Sequence, residues 1–164
     1  MTETVNIVIE VPKGSRNKYE WDDEIGAIKF DRFLFSSMVY PVDYGFVPQT
    51  LGADGDPLDA MVCVSEPTFP GCVTPAIPIG LFRMTDEGAL DDKVLCVPAD
   101  DPNWNFIDSM DGLPEQLREE IAHFFSVYKQ PEGKHVDVEG WYPLEAAIEV
   151  IEESRRRLRD ENGD

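Results

Sequence analysis

The chain has 164 residues, with 33 Asp or Glu against 14 Lys or Arg, for a formal net charge of −19. Such a surface repels phosphate backbones and anionic lipid and attracts cations, which argues against nucleic-acid and membrane partners. An apolar fraction of 42% excludes a disordered chain, and the length suits one domain, 1–164, with its core over about 5–159 and a frayed tail at 160–164.

Val5, Ile7, Ile9 and Val11 recur at period two, predicting a strand that ends at Pro12 and turns Glu10 away from the apolar set. After a loop, Lys18 and Glu20 alternate with Tyr19 and Trp21 and so share one face of a second strand. A turn at Asp22–Gly26 leads into a third strand over Ala27–Leu34. From Tyr40 to Cys72, repeated prolines and glycines cut the chain into short strands and elaborate loops. Strands at Ile77–Met84 and Asp91–Val97 flank an acidic turn, Thr85–Asp92.

The period then changes. Leu117, Ile121, Phe124, Phe125 and Tyr128 recur at three and four, predicting a helix within Leu113–Tyr128 with Pro114 in its first turn. A second helix is expected from Pro143 to about Arg159, with Leu144, Ala147, Ile148, Ile151 and Leu158 on one stripe and arginines late, as the helix dipole favours. Strands first and helices last give an α+β class: a closed or partly open, OB-like five-stranded β-barrel with extra strands and two C-terminal helices packed on it. No basic segment followed by an apolar stretch opens the chain, and no run of about 18 apolar residues occurs, so a soluble cytoplasmic protein is expected. Cys63, Cys72 and Cys96, odd in number and without CxxC spacing, read as reduced core thiols. The Trp104–Met110 stretch gives no clear signal.

The chemistry concentrates at Leu51–Ala60, where Asp54, Asp56 and Asp59 crowd beside Gly55 and Pro57 just before an apolar strand. Like charges so close repel and raise one another's pKa unless cations sit between them, so the loop suits hard metals. It is not an EF-hand: counted from Asp54, the fifth and sixth positions are Leu58 and Asp59, and the twelfth is Ser65. Basic and phenolic groups recur beside acids, as in Lys18 with Glu20, Arg32 after Asp31, Lys93 near Asp91, and Tyr128 next to Lys129. Jointly they suggest an anion held between basic side chains and metal ions.

The segments Lys18-Tyr19-Glu20, Asp31-Arg32, Tyr40-Pro41-Val42-Asp43-Tyr44-Gly45, Asp54-Gly55-Asp56-Pro57-Leu58-Asp59, Asp91-Asp92-Lys93 and His123-Phe124-Phe125 with Tyr128-Lys129 resemble the soluble one-domain (family I) inorganic pyrophosphatases, from about Ile9 to Trp141. That resemblance implies hydrolysis of pyrophosphate to two phosphates with several magnesium ions. It implies Asp54, Asp59, Asp86 and Asp91 as metal ligands, with Asp59 bridging two ions, and Asp56 as general base. Glu10 and Glu20 match acids that support further metal and water positions. Lys18, Arg32, Tyr44, Lys93, Tyr128 and Lys129 match phosphate contacts, with Tyr40 a neighbouring hydrogen-bond donor. The resemblance also implies a homohexamer assembled through the helix that holds His123, although Val127 stands where some bacterial relatives have a second histidine. His123 itself, on an apolar face, reads as a buried histidine.

Two other readings are weaker. A non-catalytic metal-binding barrel has no need of the extra acid Asp56, and a nucleotide substrate would call for a Gly-rich phosphate loop that is absent. The charge yields one prediction of its own. If the acidity is salt adaptation, the melting temperature should rise as potassium chloride goes from low to molar concentration, because screening relieves self-repulsion. A flat series in differential scanning calorimetry rejects it.

Overall fold

The computed structural model describes residues 3–163. Its strands are β1 (Val5–Val11), β2 (Asn17–Asp22), β3 (Ala27–Phe33), β4 (Asp43–Phe46), β5 (Asp59–Val62), β6 (Val73–Asp86), β7 (Ala89–Pro98) and β8 (Val136–Pro143). The helices are α1 (Glu115–Val127) and α2 (Leu144–Asn162). Strands follow the order β1-β4-β5-β7-β6, and β6 returns to β1 through Val73–Ala76, so five strands close a ring. Closure removes the unpaired edges that an open sheet would expose. β6 is 14 residues long; its second half, Gly80–Asp86, carries β8 as an extra strand, and β2 with β3 form a separate hairpin. The expected barrel with extra strands and two helices is therefore the fold.

Strand alternation sorts the apolar side chains into two clusters. Met61, Phe82, Met84, Leu95 and Val97 pack with Ile121, Phe124 and Phe125 of α1. Ile7, Ile9, Ala60, Val62, Val94 and Cys96 pack with Ala147 and Ile151 of α2. Phe124 and Phe125 are each 1% exposed, and burying such a side chain contributes roughly 1.5–3 kcal/mol. Among the described residues no helix is long and apolar enough to cross a membrane.

The structure corrects several expectations. β8 lies between the helices rather than before them; Val136 and Val138 alternate with Asp137 and Glu139, but Gly140 at φ 119° breaks the period. The acidic turn is only Glu87-Gly88, both at positive φ, so Asp91 and Asp92 belong to β7. Pro114 caps α1 from outside in an extended conformation, because α1 begins at Glu115. α2 begins after Pro143 and continues through Asp160–Asn162, which were expected to fray, because Gly163 at φ 77° terminates it and donates its N–H to the Arg159 and Asp160 carbonyls. Asp164 lies outside the described residues. Ile148 points away from the α2 stripe and is 42% exposed, and His123 is exposed rather than buried. Cys63 and Cys96 are buried free thiols, with the Cys63 thiol pushed up to about 12 by burial, whereas Cys72 is half-buried. In the Trp104–Met110 stretch, Trp104, Ile107 and Met110 pack onto the α1 cluster.

Gly45 marks the tightest approach in the ring. A Cβ there would stand 1.8 Å from the Val8 carbonyl oxygen across the β1–β4 pairing. Gly45→Ala should therefore destabilise the protein by on the order of 3 kcal/mol or more, read from urea unfolding.

Candidate functional site

β5 and β7 run parallel with Asp59 beside Lys93, and alternation puts Asp91 on the same face of β7. This is the face that carries Met61 and Leu95 further along the same strands, so an apolar stripe becomes a charged one where the two strands begin. The loop before β5 brings in Asp54. One carboxylate oxygen from each of Asp54, Asp59 and Asp91 lies within 4.8 Å of the other two. The loop is braced at its neck by Thr50, whose hydroxyl donates to the Val47 carbonyl (2.5 Å) and accepts the Leu58 N–H (3.0 Å). Within it the Asp56 N–H donates to Asp54 Oδ1 (3.1 Å), so the two acids hold one another in place.

Lys93 is 1% exposed, and its ammonium donates to Tyr44 Oη (2.7 Å), Asp59 Oδ2 (3.0 Å) and Asp91 Oδ2 (3.1 Å). All three of its protons are thereby used. Burial opposes its charge, but Asp59 and Asp91 more than offset this and hold its pKa above the usual lysine range. Burial also drives Asp59 well above the ordinary carboxylate value, with Asp91 adding to the rise. For Asp91 the same burial is outweighed by Lys93 and by a hydrogen bond from Asp59, so Asp91 titrates low. One lysine against three carboxylates leaves the centre short of positive charge, which is the condition under which hard cations bind oxygen ligands.

The cluster opens into a cleft of about 380 Å³. Every residue to which the resemblance assigns a metal, base or phosphate role lines it except Arg32 and Lys93. Lys93 lies beneath the wall as the buried counter-ion. Arg32 sits to one side, its Nη1 donating to Asp31 (2.5 Å) and its Nη2 to Glu132 (3.2 Å) across 100 residues of sequence. Lys18 is paired with Glu20 (3.2 Å) and Asp31 (3.3 Å), as their shared strand face required. Lys129 bonds Asp86 Oδ2, while Asp86 Oδ1 is buried with no donor among the described residues, an acceptor ready for a ligand. Tyr40, Tyr44 and Tyr128 are buried in the wall, and burial keeps their hydroxyls protonated well above their usual range. Trp21 and Asp23, also in the wall, gave no sequence signal, nor did Glu132, the partner of Arg32.

An all-oxygen acidic centre ringed by basic and phenolic donors narrows the chemistry to a metal-assisted reaction on an anion. A family model described as inorganic pyrophosphatase matches residues 7–159. The chain belongs to the inorganic pyrophosphatase family.

Relatives agree over nearly full length. An inorganic pyrophosphatase of Methanosarcina acetivorans is 55% identical over 157 residues, 96% of this chain and 94% of the relative. One from Streptomyces coelicolor is 53% identical over 159 residues, 96% of this chain and 98% of the relative. Among solved structures, the Thermus thermophilus pyrophosphatase superposes with a TM-score of 0.92 at 45% identity, covering 96% of this chain and 92% of its own. The chain is accordingly an inorganic diphosphatase, a hydrolase of this family.

Glu10 lines the same cleft as Glu20, Lys18 and Asp56. It is 8% exposed, accepts the Trp21 N–H (2.8 Å), and has its pKa raised from 4.5 to about 7, chiefly by burial. The unfolded chain releases this proton near 4.5 and the folded chain only near 7, so stability falls as pH rises between those values and stays lower above them. In chelator, Glu10→Gln should raise unfolding free energy by up to about 3 kcal/mol at pH 8 and leave it unchanged at pH 4, measured by urea titration at both. An equal effect at both pH values contradicts the assignment.

Proposed function

We propose that the chain hydrolyses inorganic pyrophosphate to two phosphates, with Asp54, Asp59, Asp86 and Asp91 holding several magnesium ions and Asp56 acting as general base. The observation that carries this reading is the convergence of Asp54, Asp59 and Asp91 within 4.8 Å around a single buried ammonium. The donor set consists of carboxylate oxygens, which suits magnesium, and the unpartnered Asp86 oxygen adds a further ligand at the other side of the cleft. Magnesium, when bound, supplies the charge that offsets pyrophosphate's negative charges and lowers the pKa of a water.

The chain's own groups do the rest. Asp56 is exposed to the cleft beside Asp54, and its carboxylate makes no hydrogen bond among the described residues, so it is free to take a proton from an attacking water. Lys18, Lys129, Tyr44 and Tyr128 present donors to phosphate oxygens, and Arg32 stands just outside the wall. Lys93 keeps Asp59 and Asp91 at fixed spacing. Glu10 and Glu20 serve further water and metal positions. Positioning and charge neutralisation are the terms expected to dominate phosphoryl transfer. Under the same proposal the working form is a cytoplasmic homohexamer, an expectation that rests on the family likeness and is checked by native mass measurement.

Phosphate release from pyrophosphate, tripolyphosphate and nucleoside triphosphates, each with magnesium or with chelator, tests the reading. Release from pyrophosphate in magnesium alone is expected; equal release from the triphosphates sinks the substrate assignment. Asp56→Asn should lower turnover about 100-fold or more while calorimetric magnesium affinity stays within about twofold. Unchanged turnover removes Asp56 from the role of base.

A further inference from the structure

Leu51 is where the acidic loop meets α2. Its N–H donates to the Ser154 carbonyl (3.0 Å), and its own carbonyl accepts from Arg157 Nη1 (2.7 Å), 106 residues away in sequence. Both main-chain polar groups of one loop residue therefore end on the C-terminal helix. The next residue, Gly52, donates its N–H to the Asp56 carbonyl (2.6 Å), and Asp56 in turn donates to the Asp54 side chain. A Cβ at position 52 would meet the Asp56 carbonyl oxygen at 2.9 Å and Asp54 Oδ1 at 3.1 Å. Movement at Leu51 thus reaches the Asp54 carboxylate and the Asp56 main chain through direct contacts.

The late arginines of α2 complement the helix dipole as a group, but they differ in what they touch. Arg155 pairs with Glu3 (3.5 Å) and Glu152 (3.2 Å), and Arg156 is exposed. Arg157 has no carboxylate partner within 4.0 Å among the described residues, although 33 acids are available in the chain. Its guanidinium is spent on one main-chain carbonyl, beside Ser154, which is 1% exposed. A charge-assisted bond at such a half-buried junction is stronger than its equivalent in open water. A hollow of about 60 Å³ has Asp54, Asp59 and Asp91 on its wall together with Ser154 and Arg157, so the arginine stands directly behind the acidic cluster.

We propose that Arg157 is a positioning residue: it clamps the main chain at Leu51 and thereby fixes Asp54 and Asp56 for cation binding and proton transfer. The proposal rests on the roles assigned above to those two acids, and its test separates the two ideas. Arg157→Met keeps the aliphatic stem and removes the donor; Arg157→Lys keeps the charge; Arg156→Met is the control. Amide hydrogen exchange in chelator should speed about tenfold at Leu51, Gly52 and Asp56 in Arg157→Met, with the amides of β5 and β7 unchanged. Magnesium affinity by calorimetry should weaken about tenfold, and kcat should fall by a similar factor with KM for pyrophosphate little altered. Arg157→Lys should recover most of each loss, and Arg156→Met should match the parent. Were Arg157→Met to unfold, Arg157→Gln carries the same comparison. Unchanged exchange and magnesium affinity in the Arg157 variants, or equal losses in Arg156→Met, overturn the clamp. Failure of the unaltered protein to hydrolyse pyrophosphate overturns the proposed function instead, and the exchange data still judge the clamp.

Discussion

One buried ammonium governs the centre of this molecule. Taking a lysine charge out of water costs several kcal/mol in a real protein, and it is tolerated only where partners compensate closely. Lys93 meets that condition through Tyr44, Asp59 and Asp91, with the Tyr44 and Phe125 rings each 5.0 Å from Nζ. Those partners come from β4, β5, β7 and α1. The ion cluster therefore ties together the register of a parallel strand pair, the next strand in the ring, and the docking of a helix. Losing the ammonium would leave Asp59 and Asp91 facing one another uncompensated inside the protein, which is costlier than the loss of an equivalent surface pair.

The two helices support different halves of the cleft. α1 backs the basic and phenolic side: Phe125 covers Lys93, Phe124 packs on Tyr40 at 4.7 Å, and the chain leaving α1 delivers Tyr128 and Lys129. α2 backs the acidic loop through Leu51. β8 connects them by running antiparallel to β6, and its alternation serves both sides. Trp141 packs tilted against Phe82, ring centroids 4.9 Å apart, within the α1 cluster, while Tyr142 joins the α2 cluster. A strand placed between the helices in sequence lets the chain cross from one apolar cluster to the other while paired to β6.

Local signals in the sequence carried most of the barrel and of the acidic cluster. Period-two alternation located β1 and the β2–β3 hairpin, whereas the crowding of Asp54, Asp56 and Asp59 reads as well as a polar turn until the basic and phenolic groups elsewhere in the chain are set beside it. The misses share a cause: each depended on a partner far away in the chain. β8 hides behind Asp137, Glu139 and Gly140 because its charged residues face water and a bulge breaks its period. Ile148 has the right spacing for the α2 stripe, yet the stripe is narrow, running through Ala147, Ile151 and Ser154. The burial of Lys93 between Asp59 and Asp91 shows only in the β5–β7 register. Glu132 and Arg157 act on groups about 100 residues distant, which no spacing rule can connect.

The pairing of the basic side chains sets how an anion can enter. Lys18 is held by Glu20 and Asp31, Arg32 by Asp31 and Glu132, and Lys129 by Asp86. A bare anion must displace those carboxylates while crossing the field of a chain with net charge −19, so it is opposed both at long range and at contact. An anion that arrives with divalent cations meets neither obstacle to the same degree: its charge is masked during approach, and the acids gain new partners as the lysines and arginine are released. Under the proposed reaction, the acidity of the surface and the pairing at the rim would therefore act in the same direction, favouring a cation-complexed anion over the free one. Lys93 differs from these rim groups in being buried, with its three protons on Tyr44, Asp59 and Asp91.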